Sequence, residues 1–184
     1  MKLVIALGNP GKKFDLTRHN IGFMILDSFV GEAKWSSNEL AQYIKTDYDG
    51  EKVILIKPIT YMNLSGKAVS YFVNYYKIEV GNLLVIHDDL DIDLGRYKLK
   101  INSSSAGHNG VESIINSIGT NSFLRLKIGI SRPIGEVRDY VLDKFSKSDI
   151  KVIEDRQETY NYIIKDFIKG EGSKKLMDRY NGLL

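Results

Sequence analysis

Near its N-terminus the chain reads Leu3-Val4-Ile5-Ala6-Leu7-Gly8-Asn9-Pro10-Gly11, and this stretch decides the fold class. Its first five residues are apolar and partly β-branched, a pattern that predicts a buried strand. The next four predict a turn, because glycine permits unusual backbone angles and proline fixes φ. The chain then runs through Thr17-Arg18-His19-Asn20 into apolar residues at helical spacing over residues 21–30. This order is typical of α/β sheets, in which ligands bind beyond the carboxyl ends of strands.

The alternation of strands and helices continues along the chain. Asp49-Gly50 predicts a hairpin between strands at about 40–48 and 52–57. Further strands are predicted at 83–86, 96–101 and 124–130, and further helices at 64–76, 111–118 and 150–168. No linker or repeat divides the chain, so we expect one α/β domain over residues 1–184. It is predicted to be a three-layer sandwich, with a mixed, mostly parallel central sheet flanked by helices.

The composition excludes several classes of protein. The chain has no cysteine, which excludes disulfides, thiol catalysis and thiolate metal sites. Its N-terminal apolar run is too short for a signal peptide, and no later run reaches transmembrane length, so we expect a cytoplasmic protein without membrane contact. The net charge of +3 is compatible with nucleic-acid binding but does not require it.

Polar side chains concentrate in four predicted loops, three of which follow buried strands while the fourth enters a helix. These loops carry Asn9 and His19, Met62 and Asn63, Asp88, and His108 and Asn109. A carboxylate bonded to one imidazole nitrogen fixes the tautomer and stabilises the imidazolium, so His19 and Asp88 are a candidate catalytic pair. Carboxamides both donate and accept hydrogen bonds, which would let the three asparagines hold an ester or a peptide backbone.

Each of these residues also has a structural interpretation. His19 alone in a helix-entry loop is more commonly structural than catalytic, and Asp88 after a strand could bind only backbone amides. Asn63 and Asn109, taken singly, are best explained as helix N-caps. Met62 and Tyr61 are explained by composition alone as residues that pack in the core. The grouping of polar residues between strands and helices is what favours a site.

The residue spacing does not match the motifs of several other kinds of site. The glycines near the N-terminus do not match a phosphate-binding P-loop or a dinucleotide pattern. The run Asp89, Asp91, Asp93 resembles the start of a calcium loop, but Leu94 and Lys100 stand where glycine and glutamate are needed. No G-x-S-x-G elbow of a serine hydrolase occurs.

At this point the sequence resembles one family closely, the bacterial peptidyl-tRNA hydrolases. The matching motifs run in the family's order from residue 3 to about 142, and the chain has the right length. They are Gly8-Asn9-Pro10-Gly11, Thr17-Arg18-His19-Asn20-Ile21-Gly22, Tyr61-Met62-Asn63-Leu64-Ser65-Gly66, His87-Asp88-Asp89-Leu90-Asp91, Gly107-His108-Asn109-Gly110 and Arg125-Leu126-Lys127-Ile128-Gly129-Ile130.

The resemblance implies hydrolysis of the ester that joins a peptide to the 3′ ribose of tRNA, which recycles tRNA from aborted translation. It implies that His19 is the general base that activates water and that Asp88 orients it. Asn9 would help to distinguish N-blocked peptidyl-tRNA from free aminoacyl-tRNA. Asn63 and Asn109 would contact the substrate around the ester. The resemblance implies no metal and no organic cofactor, and we expect a monomer.

The resemblance also indicates which residues contact tRNA. Phe14 and Tyr61 match positions that contact the tRNA end, and Met62 and His108 are counted with the substrate-binding residues. A protein that accepts many different tRNAs must bind their phosphates with cations, because it cannot depend on reading particular bases. Our candidates for these cations are Lys98, Lys100, Arg125 and Lys127. Phe14 stands where the family usually has tyrosine, and Lys127 where it usually has arginine.

Two alternatives from other classes stay open at this stage. One is a related RNA-binding protein that has lost hydrolysis, against which the pair of His19 and Asp88 argues. The other is a metal-dependent hydrolase that uses His87, Asp88, Asp89 and His108. Turnover of peptidyl-tRNA tests the first alternative, and activity during chelation tests the second.

Overall fold

The computed structural model describes residues 1–183, and Leu184, the last residue of the expected domain, lies outside the described residues. Seven strands form one sheet: β1 (Lys2–Ala6), β2 (Ser36–Ser37), β3 (Ala41–Tyr48), β4 (Glu51–Pro58), β5 (Leu83–Asp89), β6 (Tyr97–Lys100) and β7 (Leu124–Gly129). Six α-helices accompany them: α1 (Ile21–Val30), α2 (Ser65–Tyr76), α3 (Asn109–Ile118), α4 (Val137–Leu142), α5 (Lys147–Ile168) and α6 (Ser173–Tyr180).

The strand order across the sheet is β2-β3-β4-β1-β5-β7-β6. The four central strands, β4, β1, β5 and β7, are parallel, whereas β3 and β6 pair antiparallel with their neighbours. The central strands are almost entirely buried, which explains their continuous apolar runs. The expected mixed, mostly parallel sheet is confirmed.

Helices cover both faces of this sheet. One face packs a core that includes Val4 and Ile86 against α1, α5 and α6, and the other packs Ile5 and Val85 against α2 and α3. Successive residues of each strand alternate between these two cores because a strand has a side-chain period of two. The expected three-layer sandwich is therefore confirmed in a single domain.

The helix that follows β1 packs very closely against the strand ends. A Cβ atom added at Gly22 would lie 2.6 Å from the carbonyl oxygen of Ile86. Only glycine permits this approach, which holds the first turn of α1, and the residues just before it, against the carboxyl end of β5. The fold thereby places His19 next to Asp88.

Two helices were not predicted from the sequence. The first, α4, is a six-residue helix with one buried residue, Val141, so its apolar pattern is short and weak. The second, α6, buries Leu176 and Tyr180, which are four residues apart. Most of its other residues are charged or polar, so the apolar pattern is weak. None of the helices in the described part of the chain is long and apolar enough to span a bilayer.

Candidate active site

The candidate site lies where β1 and β5 end side by side. The two strands are parallel, with Ala6 paired with Ile86, so the residues that follow both strands emerge at one edge of the sheet. Asn9 comes from the loop after β1, and Asp88 stands at the end of β5. His19 lies in a short 3₁₀ turn before α1, and His108 immediately precedes α3. The sheet thus brings together residues far apart in sequence.

Asp88 lies between two imidazoles. Its Oδ2 is 2.8 Å from Nδ1 of His19, and its Oδ1 is 2.8 Å from Nε2 of His108. The exposed fractions of the three side chains are 3% for Asp88, 9% for His108 and 12% for His19. With Nδ1 directed at Asp88, Nε2 is the nitrogen of His19 that can act on a molecule in the cleft.

The electrostatics of this cluster follow from burial and from these hydrogen bonds. Burial lowers the pKa of His19, but the charge and hydrogen bond of Asp88 outweigh burial and raise that pKa above its ordinary value. Burial raises the pKa of Asp88, yet the attraction of His19 and the hydrogen bonds from both imidazoles hold that pKa well below its usual range. Asp88 is therefore ionised, and His19 is a stronger base than an isolated histidine.

Beside this cluster, the carboxamide of Asn20 holds the backbone of Asn9 by two hydrogen bonds. Asn20 accepts from the backbone N–H of Asn9 at 2.8 Å and donates to the carbonyl oxygen of Asn9 at 2.9 Å. The side-chain Oδ1 of Asn9 accepts from the backbone N–H of Met62 at 2.8 Å. These bonds fix the orientation of Asn9, and they leave Nδ2 as the group of its side chain that can donate to a ligand.

A cleft of about 930 Å³ opens over these side chains. Asn9, His19 and Asp88 line it together with His108, and so do the predicted substrate-binding residues Phe14, Tyr61, Met62, Asn63 and Asn109. Met62 is buried in its wall, whereas Asn63 and Asn109 are exposed. The structure thus brings nearly all of the predicted site residues to one cavity.

Two aromatic residues stand at the mouth of the cleft. The rings of Phe14 and Tyr61 meet edge to face, with their centroids 6.3 Å apart. Tyr61 has a φ of 64°, a left-handed conformation that is unusual for an aromatic residue. Such strain is concentrated at functional sites, and here it leaves the Tyr61 side chain about half exposed beside the cleft.

The four predicted cations share one face of the sheet but differ in exposure. Cross-strand pairing joins Lys98 with Lys127 and Lys100 with Arg125. The two lysines of β6 are exposed, whereas Lys127 is buried 3.5 Å from a carboxylate oxygen of Asp89. Arg125 is fully buried, and its Nη1 donates to the carbonyl oxygen of Ser104 at 2.8 Å. Its burial weighs against direct contact with a phosphate, and the RNA contacts of the other three stay predictions.

Comparison with known proteins gives this arrangement a family. A family model described as peptidyl-tRNA hydrolase matches residues 3–183. The chain belongs to the peptidyl-tRNA hydrolase family.

Individual members of the family match the chain over nearly its whole length. The peptidyl-tRNA hydrolases of Oceanobacillus iheyensis and Lactobacillus johnsonii are each 43% identical to it, over 98% of this chain and 100% of their own. The crystal structure of peptidyl-tRNA hydrolase from Acinetobacter baumannii is 31% identical and superimposes with a TM-score of 0.89, covering 98% of this chain and 94% of that one. The family and the fold expected from the sequence are both confirmed.

Some structural interpretations made from the sequence are wrong. Neither Asn63 nor Asn109 caps a helix: α2 has Leu64 at its N-cap, and Asn109 is the first residue of α3. The cap of α3 is His108, whose Nδ1 accepts from the backbone N–H groups of Gly110 and Val111. Histidine is not among the residues preferred at N-caps, so the sequence held no signal for this role.

One wall of the cleft is formed by residues that the sequence did not lead us to expect. This wall is formed by Val137, Val141 and Leu142, because the loop after β7 brings α4 to the cleft. The spacing of these apolar residues is helical, and it is the one signal in the sequence that could have revealed them. This wall adds an apolar surface to the otherwise polar site.

Three side chains are close enough together to be considered as metal ligands. Within residues 1–183, His19, Asp88 and His108 form such a group, with one atom of each lying within 4.8 Å of the others. The facing atoms are already joined by two 2.8 Å hydrogen bonds, which a metal would have to replace. His87 instead donates to the carbonyl oxygen of Asp88, and Asp89 faces Lys127. The geometry of His19, Asp88 and His108 therefore fits three hydrogen-bonded residues better than a set of metal ligands.

Proposed function

We propose that the protein hydrolyses the ester between a peptide and the 3′-terminal ribose of tRNA, with His19 as the general base. The observation that carries this proposal is the 2.8 Å hydrogen bond from His19 to a buried, ionised Asp88 at the floor of the cleft. The family supplies the class of substrate, since its members are named peptidyl-tRNA hydrolases.

In the proposed reaction, Nε2 of His19 takes a proton from a water molecule as its oxygen attacks the ester carbonyl. A C–O bond forms, and the carbonyl π electrons move to its oxygen. When this tetrahedral intermediate collapses, the bond to the ribose oxygen breaks, and the imidazolium of His19 returns the proton to that oxygen. Asp88 holds the imidazole by Nδ1 and stabilises its charged form. A base of this kind contributes roughly 10²–10⁴-fold to the rate.

Three carboxamides are proposed to position the substrate. Asn9 presents Nδ2 to the cleft from a backbone fixed by Asn20, which suits a hydrogen bond to the acyl group of a blocked amino acid. Asn63 and Asn109 lie at the exposed edge of the same cleft, where they can contact atoms around the ester. Donors fixed before the reaction stabilise developing oxygen charge without reorganising.

The tRNA end is proposed to lie along the mouth of the cleft and the exposed edge of the sheet. Phe14 and Tyr61 offer aromatic faces for a terminal base, and such stacking does not depend on sequence. Lys98 and Lys100 offer positive charge to phosphates from β6. We propose that Met62, which is buried in the wall of the cleft, contributes an apolar surface to this binding region.

The experiment is hydrolysis of an N-acetyl-aminoacyl-tRNA by the wild-type protein and by His19→Ala, with the unblocked aminoacyl-tRNA as the control substrate. We expect the wild type to cleave only the blocked substrate, and His19→Ala to bind tRNA normally while losing most of its rate. Lys52→Ala, an exposed change at the amino end of β4, is the matched control and should act as the wild type does.

The same assay separates the alternatives. Tight tRNA binding without any turnover would indicate an RNA-binding protein that has lost hydrolysis. Loss of activity during exhaustive chelation, with recovery on adding a divalent metal, would indicate a metal-dependent hydrolase. His19→Ala that cleaves nearly as fast as wild type would show that the base lies elsewhere.

We further propose that the protein works as a monomer, in the cytoplasm, without a metal or cofactor. The reaction supports this, because an ester is an activated acyl group and needs only water, a base and positioned donors. Peptidyl-tRNA is formed during translation, which places its hydrolysis in the cytoplasm. Light scattering of the purified protein at assay concentration checks the oligomeric state.

A further inference from the structure

His108 is held from both sides by the protein. Its Nε2 lies 2.8 Å from Oδ1 of Asp88. Its Nδ1 accepts from the backbone N–H of Gly110 at 3.2 Å and from that of Val111 at 3.3 Å, at the start of α3. Both ring nitrogens are therefore engaged within the protein, although His108 also lines the cleft, where the resemblance implies a substrate contact.

These contacts determine where the proton of His108 sits. A backbone N–H can only donate, so Nδ1 must present a lone pair, and the ring proton must be on Nε2. His108 is consequently a neutral donor whose N–H is aimed at Asp88.

We propose that His108 is a positioning residue for the reaction, because it occupies Oδ1 of Asp88 and thereby keeps Oδ2 on Nδ1 of His19. This inference rests on the proposed function of His19 as the base. Within residues 1–183, His108 is the one side chain that bonds this oxygen, so without it the carboxylate could rotate away from His19. The fixed carboxylate keeps the proton of His19 on Nδ1 and its lone pair on Nε2.

A neutral donor suits this role better than a charged one. A cationic His108 would partly neutralise Asp88, whose negative charge stabilises the His19 imidazolium. The other groups around the cluster do not replace it: His87 of β5 packs edge to face on His108 and donates to the backbone carbonyl of Asp88. On the neighbouring strand β7, Arg125 donates to the carbonyl oxygen of Ser104, and Lys127 is paired with Asp89.

Two substitutions separate the two contacts of His108. His108→Asn retains an N-cap oxygen for α3 but is too short to reach Asp88. His108→Gln is long enough to place an amide N–H near Oδ1 of Asp88 but is a poor cap. Asp88 without its second donor is a stronger acceptor for His19, so the pKa of His19 should rise further in His108→Asn.

We expect His108→Asn to lower kcat roughly 10- to 100-fold with little change in KM, and to move the acid limb of kcat/KM to higher pH. His108→Gln should recover most of the lost kcat but melt at a lower temperature than His108→Asn. A raised KM with unchanged kcat and an unchanged pH profile in His108→Asn would overturn the proposal and restore a substrate contact.

A measurement on the wild type tests the same inference without turnover. Long-range ¹H–¹⁵N spectra should show a protonated Nε2 and an unprotonated Nδ1 on His108, and titration of His108→Asn should show a raised pKa for His19. A protonated Nδ1 on His108, or an unmoved pKa of His19, would overturn the positioning role even if the protein proves to be inactive on peptidyl-tRNA. Failure of the proposed function is read separately, from absence of turnover by the wild type.

Discussion

Two regions of the molecule have different proposed roles and are built differently. The proposed catalytic cluster, formed by Asn9, His19, Asp88 and His108, is largely buried, and hydrogen bonds of 2.8 Å join its members to one another and to the neighbouring loops. The basic edge, formed by Lys98 and Lys100 on β6, is exposed at the border of the sheet.

The buried cluster and the exposed basic edge differ because proton transfer and phosphate binding have different requirements. Proton transfer depends on the position of single atoms, and the side chains of this cluster are held in place by hydrogen bonds. Attraction of phosphates depends mainly on the number of charges, and flexible lysines supply these without fixed geometry. Substitutions should therefore alter kcat in the cluster and salt-dependent affinity at the edge.

The largest effect is expected for Asp88→Asn. An asparagine amide cannot hold the His19 tautomer as a carboxylate does, so kcat should fall roughly 10³- to 10⁴-fold while tRNA binding is retained. Single-turnover rates and filter binding measure the two quantities. Asp91→Asn, which removes an exposed carboxylate nearby, is the control and should lose little. A small loss for Asp88→Asn would show that the pair with His19 is structural.

A smaller loss is expected for Asn9→Asp. This change keeps the oxygen that accepts from Met62 but removes the Nδ2 donor, so the fold should hold while kcat/KM falls roughly 10²- to 10³-fold. Assays with blocked substrate and thermal melting are to be compared with those of Asn9→Ala, which loses both groups. Activity retained in Asn9→Asp but lost in Asn9→Ala would mean that Asn9 acts only by holding the loop of Met62.

At the basic edge, Lys98→Ala with Lys100→Ala should weaken tRNA binding and leave kcat at saturation nearly unchanged. The slope of log affinity against log salt should become shallower by about 1 per lysine, because fewer counterions are released. The matched control is the double change Lys52→Ala with Lys151→Ala, which removes the same charge from other surfaces. An equal effect in both double variants would indicate net charge rather than a local contact.

The smallest effect on RNA binding is expected for Arg125→Met, although it also removes a charge. Arg125 is buried and holds the carbonyl of Ser104, so its loss should increase hydrogen exchange in residues 102–107 without changing the salt slope. A slope reduced by about 1, as for each lysine of β6, would instead place Arg125 among the phosphate contacts and blur the division between the two regions.

Much of this arrangement could be predicted from the sequence because it depends on local patterns. The apolar runs of the central strands identified the sheet, and the position of polar residues after them brought His19 and Asp88 to one edge. Motif resemblance then named the family, which the comparisons confirm.

The rest depends on contacts that have no local pattern. Nothing in the sequence shows that His108 caps α3 and reaches Asp88, or that Asn20 uses its amide to hold Asn9 rather than to cap α1. Period-two alternation predicts that Arg125 and Lys127 lie on one face of their strand, but it could not show that both are buried or that the loop before α3 bonds Arg125. These details come from how distant segments meet.

The central claim is that the neutral imidazole of His19 activates water, and one measurement tests it most directly. The pH dependence of kcat/KM on N-acetyl-aminoacyl-tRNA is to be compared with the NMR titration of His19 in the same protein. Since Asp88 raises the pKa of His19, and the base must be unprotonated, activity should rise with pH through a pKa above the ordinary value of about 6.5, and both curves should give the same pKa. A rate that stays constant while His19 titrates would contradict the account.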